Sequence, residues 1–158
     1  MRLGLFQPDI PQNLGAALRL CACLGVRLEV IEPCAFPMSD KRLRRAALDY
    51  GPAAETELHA SWSAFAASPA RKAGRLVLLT TRAALPYADH RFGPEDTLLC
   101  GRESAGVPEA VHAAADVRVL VPMRPPLRSL NVVTAAAMVL GEALRQTGGF
   151  PKAPREGL

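Results

Sequence analysis

Thr97-Leu98-Leu99-Cys100-Gly101-Arg102-Glu103-Ser104-Ala105-Gly106-Val107-Pro108 passes from a short leucine-rich run, through a polar loop bounded by glycines, to a proline that opens a helical pattern. A short run without polar alternation is what a strand buried on both faces requires. Proline suits the first turn of a helix, where its missing N–H would have had no partner. The stretch therefore predicts strand, loop, helix. The loop exceeds the roughly two to six residues of an ordinary structural connection, and ligands of open α/β sheets bind at the carboxyl ends of strands. A ligand site is expected here. A second loop of the same kind, Met123-Arg124-Pro125-Pro126-Leu127-Arg128-Ser129-Leu130-Asn131, also follows an apolar run and precedes a helical pattern.

Outward from this stretch the pattern repeats. Apolar runs at residues 3–6, 28–31, 76–79, 97–100 and 117–121 predict five strands. Helices are expected between them. Leu14, Leu18, Cys21 and Ala22 make one apolar stripe that Gly25 closes. Residues 40–48 follow a cap at Ser39 or Asp40, and residues 61–67, 108–115 and 132–146 complete the set. Alternating strands and helices predict an α/β fold whose mostly parallel sheet is flanked by helices. One domain over 1–150 is expected, with a frayed tail over 151–158.

Of the 158 residues, 49% are hydrophobic and 22% charged, a balance that places the chain among globular proteins. No apolar run is long enough for a transmembrane helix. The apolar start is too short for a signal peptide, so a cytoplasmic location and no membrane partner are expected. Cys21, Cys23, Cys34 and Cys100 lack metal-ligand spacing and read as free thiols; no metal is expected. The net charge of +4 permits a nucleic-acid partner without requiring one. Lys41, Arg42, Arg44 and Arg45 put four cations into five residues, either a solvated helix face or an RNA contact.

Several side chains have both a structural and a chemical reading. Asn13 suits a helix N-cap. Gly15, one turn before Arg19, is either a tolerated glycine or an opening through which Arg19 reaches toward the helix start. Glu103 can cap the next helix, bind a ribose hydroxyl or orient an arginine. Ser129 and Asn131 can cap the last helix or face a ligand. His59, His90 and His112 stand apart from any nucleophile or ligand pattern. The last helix is apolar all round, which fits either a wholly internal helix or a subunit interface, and a homodimer is expected.

Three motifs carry a family resemblance: Asn13-x-Gly15-x-x-x-Arg19, Gly101-Arg102-Glu103-x-x-Gly106-Val107-Pro108, and Pro122-Met123 with Arg128-Ser129-Leu130-Asn131. In this order they resemble the SPOUT-superfamily RNA ribose 2′-O-methyltransferases. Gln7-Pro8-Asp9-Ile10-Pro11 and the stretch from Asp40 to Tyr50 look like its short bacterial branch, which methylates the wobble cytidine or uridine of leucine tRNAs. The similarity runs to about Gly149. It implies a deep trefoil knot in the C-terminal third, S-adenosylmethionine as methyl donor, a homodimer, and tRNA, not DNA, as partner. The cofactor would be held by Leu79, Gly101, Val121, Met123 and Ser129. The catalytic positions would be Asn13, Arg19, Glu103 and Asn131, with Ser129 beside them. The basic cluster would hold the anticodon stem-loop through phosphates. Leu14 stands where the family usually has threonine, and Gln12 replaces a common proline. Two other readings stay open. A nicotinamide-dependent oxidoreductase lacks its glycine fingerprint here. A non-catalytic RNA-binding protein would bind tRNA without methyl transfer.

Overall fold

The computed structural model describes residues 1–152; the expected tail lies outside the described residues from 153 onward. In chain order the elements are β1 (Arg2–Phe6), α1 (Pro11–Leu24), β2 (Arg27–Ile31), α2 (Lys41–Ala47), β3 (Thr56–His59), α3 (Trp62–Ala67), α4 (Pro69–Ala73), β4 (Leu76–Leu79), β5 (Leu85–Pro86), β6 (Thr97–Cys100), α5 (Glu109–Ala114), β7 (Val117–Leu120) and α6 (Val132–Thr147). Short 3₁₀ segments lie at Leu48–Ala53 and Tyr87–Asp89. The strands form one sheet in the order β3-β2-β1-β6-β4-β7-β5, and every pairing is parallel.

Successive side chains on a strand point to opposite faces, so each buried strand feeds two cores. Leu3, Leu5, Leu98 and Cys100 pack with Leu14, Ala17 and Leu18 of α1 and with Val139, Leu140 and Leu144 of α6. Phe6, Ile31, Leu76, Leu78 and Leu99 turn the other way, onto Phe65 of α3 and Val111 of α5. This double burial is why the strands read as unbroken apolar runs.

The five expected strands are present within one residue at each end. β3 and β5 went unseen. β3 is an edge strand whose Thr56, Glu57 and Leu58 are exposed, so it lacks an apolar run, and β5 is two residues long. Gly25 and Gly148 close α1 and α6 in left-handed conformation, as such C-caps do. Asp40 caps α2 through a 2.7 Å bond from the Arg42 amide.

Two expectations for α1 are corrected. Asn13 is not the N-cap: Pro11 opens the helix and Ile10 holds the cap position. Proline's fixed φ starts the helix three residues earlier, which leaves the Asn13 side chain free for other partners. Gly15 does not open room for Arg19. A Cβ at Gly15 would lie 2.6 Å from the Ala46 Cβ and 2.6 Å from the Leu43 carbonyl oxygen. Its bare surface is where α2 rests on α1.

α6 is less enclosed than an all-round apolar helix implies. Ala136, Val139, Leu140, Ala143 and Leu144 are buried, while Met138 is 40% exposed. Met138, Leu127 and Leu130 line one shallow groove. Among the described residues, no helix is long and apolar enough to cross a membrane.

Candidate active site

From β1 the chain runs outward through β2 to β3, then crosses to build the other half of the sheet through β4. The strand order thus reverses where β1 lies beside β6, and a crevice opens there at the carboxyl ends. A cavity of about 620 Å³ fills it. Its walls come from the loops after β1, β4, β6 and β7, through Ile10, Thr80, Gly101, Glu103, Val121 and Ser129 among others. The volume lies within the range of small-molecule sites.

The loop after β6 is folded on itself. Arg102 and Gly106 exchange two backbone hydrogen bonds, of 3.0 and 2.8 Å. A Cβ at Gly101 would meet the Gly106 carbonyl carbon at 2.7 Å and its Cα at 2.8 Å, so only glycine permits this closure. Gly106 itself has φ 67, the left-handed region open to glycine. Arg102 reaches back to β1's end, donating to the Gln7 carbonyl at 3.2 Å and its side-chain oxygen at 2.8 Å.

Three loops are then tied together by side chains. The Asn131 amide donates to Asn13 Oδ1 at 2.9 Å, and the Asn13 amide donates to Glu103 Oε1 at 2.9 Å. Glu103 Oε2 accepts the Asp9 backbone N–H at 3.0 Å. Asn131 also caps α6, its Oδ1 accepting the amides of Val133 at 2.9 Å and Thr134 at 3.1 Å. Asn13 is buried and satisfied at both ends. Glu103 does not cap the following helix; that position belongs to Pro108. Burial first, and then the neighbouring Asp9 carboxylate, push the Glu103 carboxyl above its ordinary value. Asp9 is held below its own, first by the hydrogen bond with Glu103 and then by Ser104.

Replacing Asn131 by alanine removes the cap and leaves Asn13 Oδ1 without its donor. A loss of about 1–2 kcal/mol of stability is expected, read as a lower urea midpoint at unchanged slope. An unmoved midpoint would mean that neither bond contributes.

Of the expected cofactor residues, Leu79, Gly101, Val121, Met123 and Ser129 all line the cavity, and so do Asn13, Glu103 and Asn131. Arg19 does not. It is exposed on α1, its guanidinium carbon 5.3 Å from the centre of the Tyr50 ring. Lys41, Arg42, Arg44 and Arg45 are exposed on α2, away from the cavity lining, and Arg42 is ion-paired with Asp40 at 2.9 Å. Reading the sequence missed Ile10, Thr80 and Val132 as lining residues, since nothing in their type or spacing marks them. It missed Asp9 too, although Asp9 stands in a polar turn directly after a strand. His59 is no part of the site: buried on β3, it bonds the buried Glu29 at 2.7 Å, with Arg2 3.8 Å away on the other side.

The cavity suits S-adenosylmethionine in its residues. Leu78, Leu79, Val121, Val132 and Ala135 supply an apolar wall for flat or aliphatic groups, the backbone at Gly101 lies on the wall, and Glu103 brings a carboxyl group to it. Comparison with known proteins agrees with this chemistry. Residues 1–141 match the model of the SpoU rRNA Methylase family. The chain is 60% identical over 99% of both chains to a tRNA (cytidine(34)-2'-O)-methyltransferase of Beijerinckia indica subsp. indica. A solved structure from work on the 2-OH methylation of C/U34 on tRNA superposes with a TM-score of 0.86 at 40% identity, covering 92% of this chain and 94% of that one. The SpoU methyltransferase AviRb of Streptomyces viridochromogenes, solved in complex with AdoMet, gives a TM-score of 0.82 at 26% identity, over 92% of this chain and 60% of AviRb. With its parallel sheet, its crevice and a family match over most of its length, the chain belongs to the SpoU methylase family.

Proposed function

We propose that the protein methylates the ribose 2′-hydroxyl of the wobble nucleotide, cytidine or uridine 34, of leucine tRNAs, with S-adenosylmethionine as donor. The observation that carries this is the crevice cavity, three of whose four wall loops are drawn together by the Asn131–Asn13–Glu103 bonds, in a chain 60% identical to a protein named for that reaction. The apolar wall and the Gly101 backbone hold the donor; bound there, it supplies an electrophilic methyl group on a sulfonium. Glu103 faces that positive charge, and Asn13 and Asn131 fix Glu103 in place. Arg19 stands outside the cavity wall, on the exposed side of α1 where a polynucleotide arrives. Because the guanidinium stays protonated, its role is to stabilise the negative charge that develops on the ribose oxygen. The rest of the catalysis is the positioning of two substrates.

The enzyme acts in the cytoplasm as a homodimer, and the C-terminal third is knotted. The exposed Leu127, Leu130 and Met138 give a second copy an apolar groove to cover. After β7, which lies beyond β4, the chain returns past the loops of β4 and β6 so that α6 packs on the α1 side of the sheet. Labelled methyl transfer to total tRNA, followed by mapping of the modified nucleoside, tests the activity. Transfer to any nucleotide other than 34, or none, would overturn it.

The basic face of α2 holds tRNA by phosphate contacts, which position without specifying sequence. Changing Lys41, Arg44 and Arg45 together to glutamine is expected to lower the slope of log affinity against log salt by about 2 to 3. Arg42→Gln should change it less, because Asp40 already neutralises that guanidinium. A salt dependence unaltered by the triple change would place the RNA elsewhere. Affinity for S-adenosylmethionine should stay constant throughout, since none of these residues lines the cavity.

A further inference from the structure

Although Arg19 is exposed, its surroundings are built. Its guanidinium carbon lies 5.3 Å from the centre of the Tyr50 ring, within the roughly 6 Å at which an aromatic face attracts a cation. Among the described residues it forms no salt bridge. Tyr50, itself 37% exposed, leaves the guanidinium open to an incoming group.

Gly15 accounts for Tyr50 standing there. Of the atoms that a Cβ at Gly15 would strike, the Leu43 oxygen at 2.6 Å and the Ala47 nitrogen at 2.9 Å are backbone and cannot rotate aside. α2 therefore lies directly on α1 at this point. It ends at Ala47, and the 3₁₀ segment Leu48–Ala53 follows without a break. Leu48 turns the chain with φ 52 and ψ −138, a positive-φ conformation uncommon for leucine. Gly15 and Arg19 are four residues apart, one helical turn along the same face. The segment that leaves Gly15 thus passes over Arg19, and Tyr50 is the aromatic residue it brings.

We propose that Tyr50 is a positioning residue for Arg19: the α2 contact at Gly15 delivers its ring, and the ring face holds the guanidinium in one place for the ribose hydroxyl. The proposal rests on the role given to Arg19 above. An arginine free in solvent has many rotamers, and fixing it beforehand removes entropy otherwise lost in the transition state. The hydroxyl of Tyr50 has no part in this; the ring face does.

The test compares Tyr50→Ala, Tyr50→Phe and Arg19→Lys in labelled methyl transfer at saturating tRNA and S-adenosylmethionine, with melting temperature and cofactor affinity measured alongside. For Tyr50→Ala, kcat is expected to fall about fivefold, with both KM values within about twofold of the wild type. Tyr50→Phe keeps the ring face and should stay within about twofold in kcat. Unchanged kcat in Tyr50→Ala would overturn the proposal, as would Tyr50→Phe falling equally far. So would a loss confined to KM for tRNA, which would make Tyr50 an RNA contact, or a loss matched by falls in cofactor affinity and melting temperature, which would make it packing. If Arg19→Lys keeps normal turnover, the role of Arg19 is wrong and the proposal falls with it. If Arg19→Lys is inactive while Tyr50→Ala turns over normally, the proposal alone fails.

Discussion

Gly101→Val is expected to abolish uptake of S-adenosylmethionine while the sheet stays folded. Gly101 follows the last residue of β6, and its Cα faces the Gly106 backbone closely enough that an added Cβ falls between 2.7 and 3.0 Å from three of its atoms. None of these is a side chain that can swing away. To admit valine, the pair of backbone bonds between Arg102 and Gly106 must open, and the loop that presents Glu103 must move. Gly101 also lines the cavity, so the branched side chain narrows the cavity wall. Affinity measured by calorimetry should fall at least about 100-fold, which is about 2.7 kcal/mol. β6 is held between β1 and β4 by its own ladders, so the unfolding transition should remain cooperative. Near-normal affinity in a folded variant would mean that the donor does not lie along this loop.

Arg19→Lys is expected to fail in the opposite way, with intact cofactor affinity and turnover at least about 100-fold lower, the scale of losing a preorganised charge at a developing oxyanion. Arg19 is absent from the cavity lining, so nothing about donor uptake should change. Lysine keeps the charge but not the planar fork, and it is a compact, strongly hydrated ammonium on a flexible stem. Over the Tyr50 ring it would also sit differently from the delocalised guanidinium. Single-turnover methyl transfer with donor and tRNA both saturating measures the step directly. Near-normal turnover would remove Arg19 from the chemistry. Together the two substitutions separate the cavity from the exposed face of α1.

Much of the fold was legible because its strands are buried on both faces. Residues 76–79 and 97–100 read as strands for the same reason that Leu76, Leu78, Leu98 and Leu99 are inaccessible: two cores need them. β3 was not legible, since a strand at the sheet edge can expose Thr56, Glu57 and Leu58 and owes its conformation to β2 beside it. The site was legible by residue type. Glycines that bound a polar loop after a strand, and asparagines at helix starts, marked Gly101, Asn13 and Asn131 as either structural or chemical. Which reading held depended on distance across the fold. Asn131 makes two structural contacts, capping α6 and bonding Asn13, 118 positions away in sequence.

The sequence alone determined the α/β alternation, the positions of five of the seven strands, the glycine-closed loop and the set of polar residues placed at strand ends, because these depend on side-chain periodicity and local backbone freedom. Only the tertiary structure decided that Asn13 is a buried link rather than a cap, that Gly15 receives α2 instead of Arg19, and that Arg19 rests on Tyr50 outside the cavity. Each of those outcomes depends on atoms from segments distant along the chain arriving within a few ångströms, and no local pattern encodes which segments will meet.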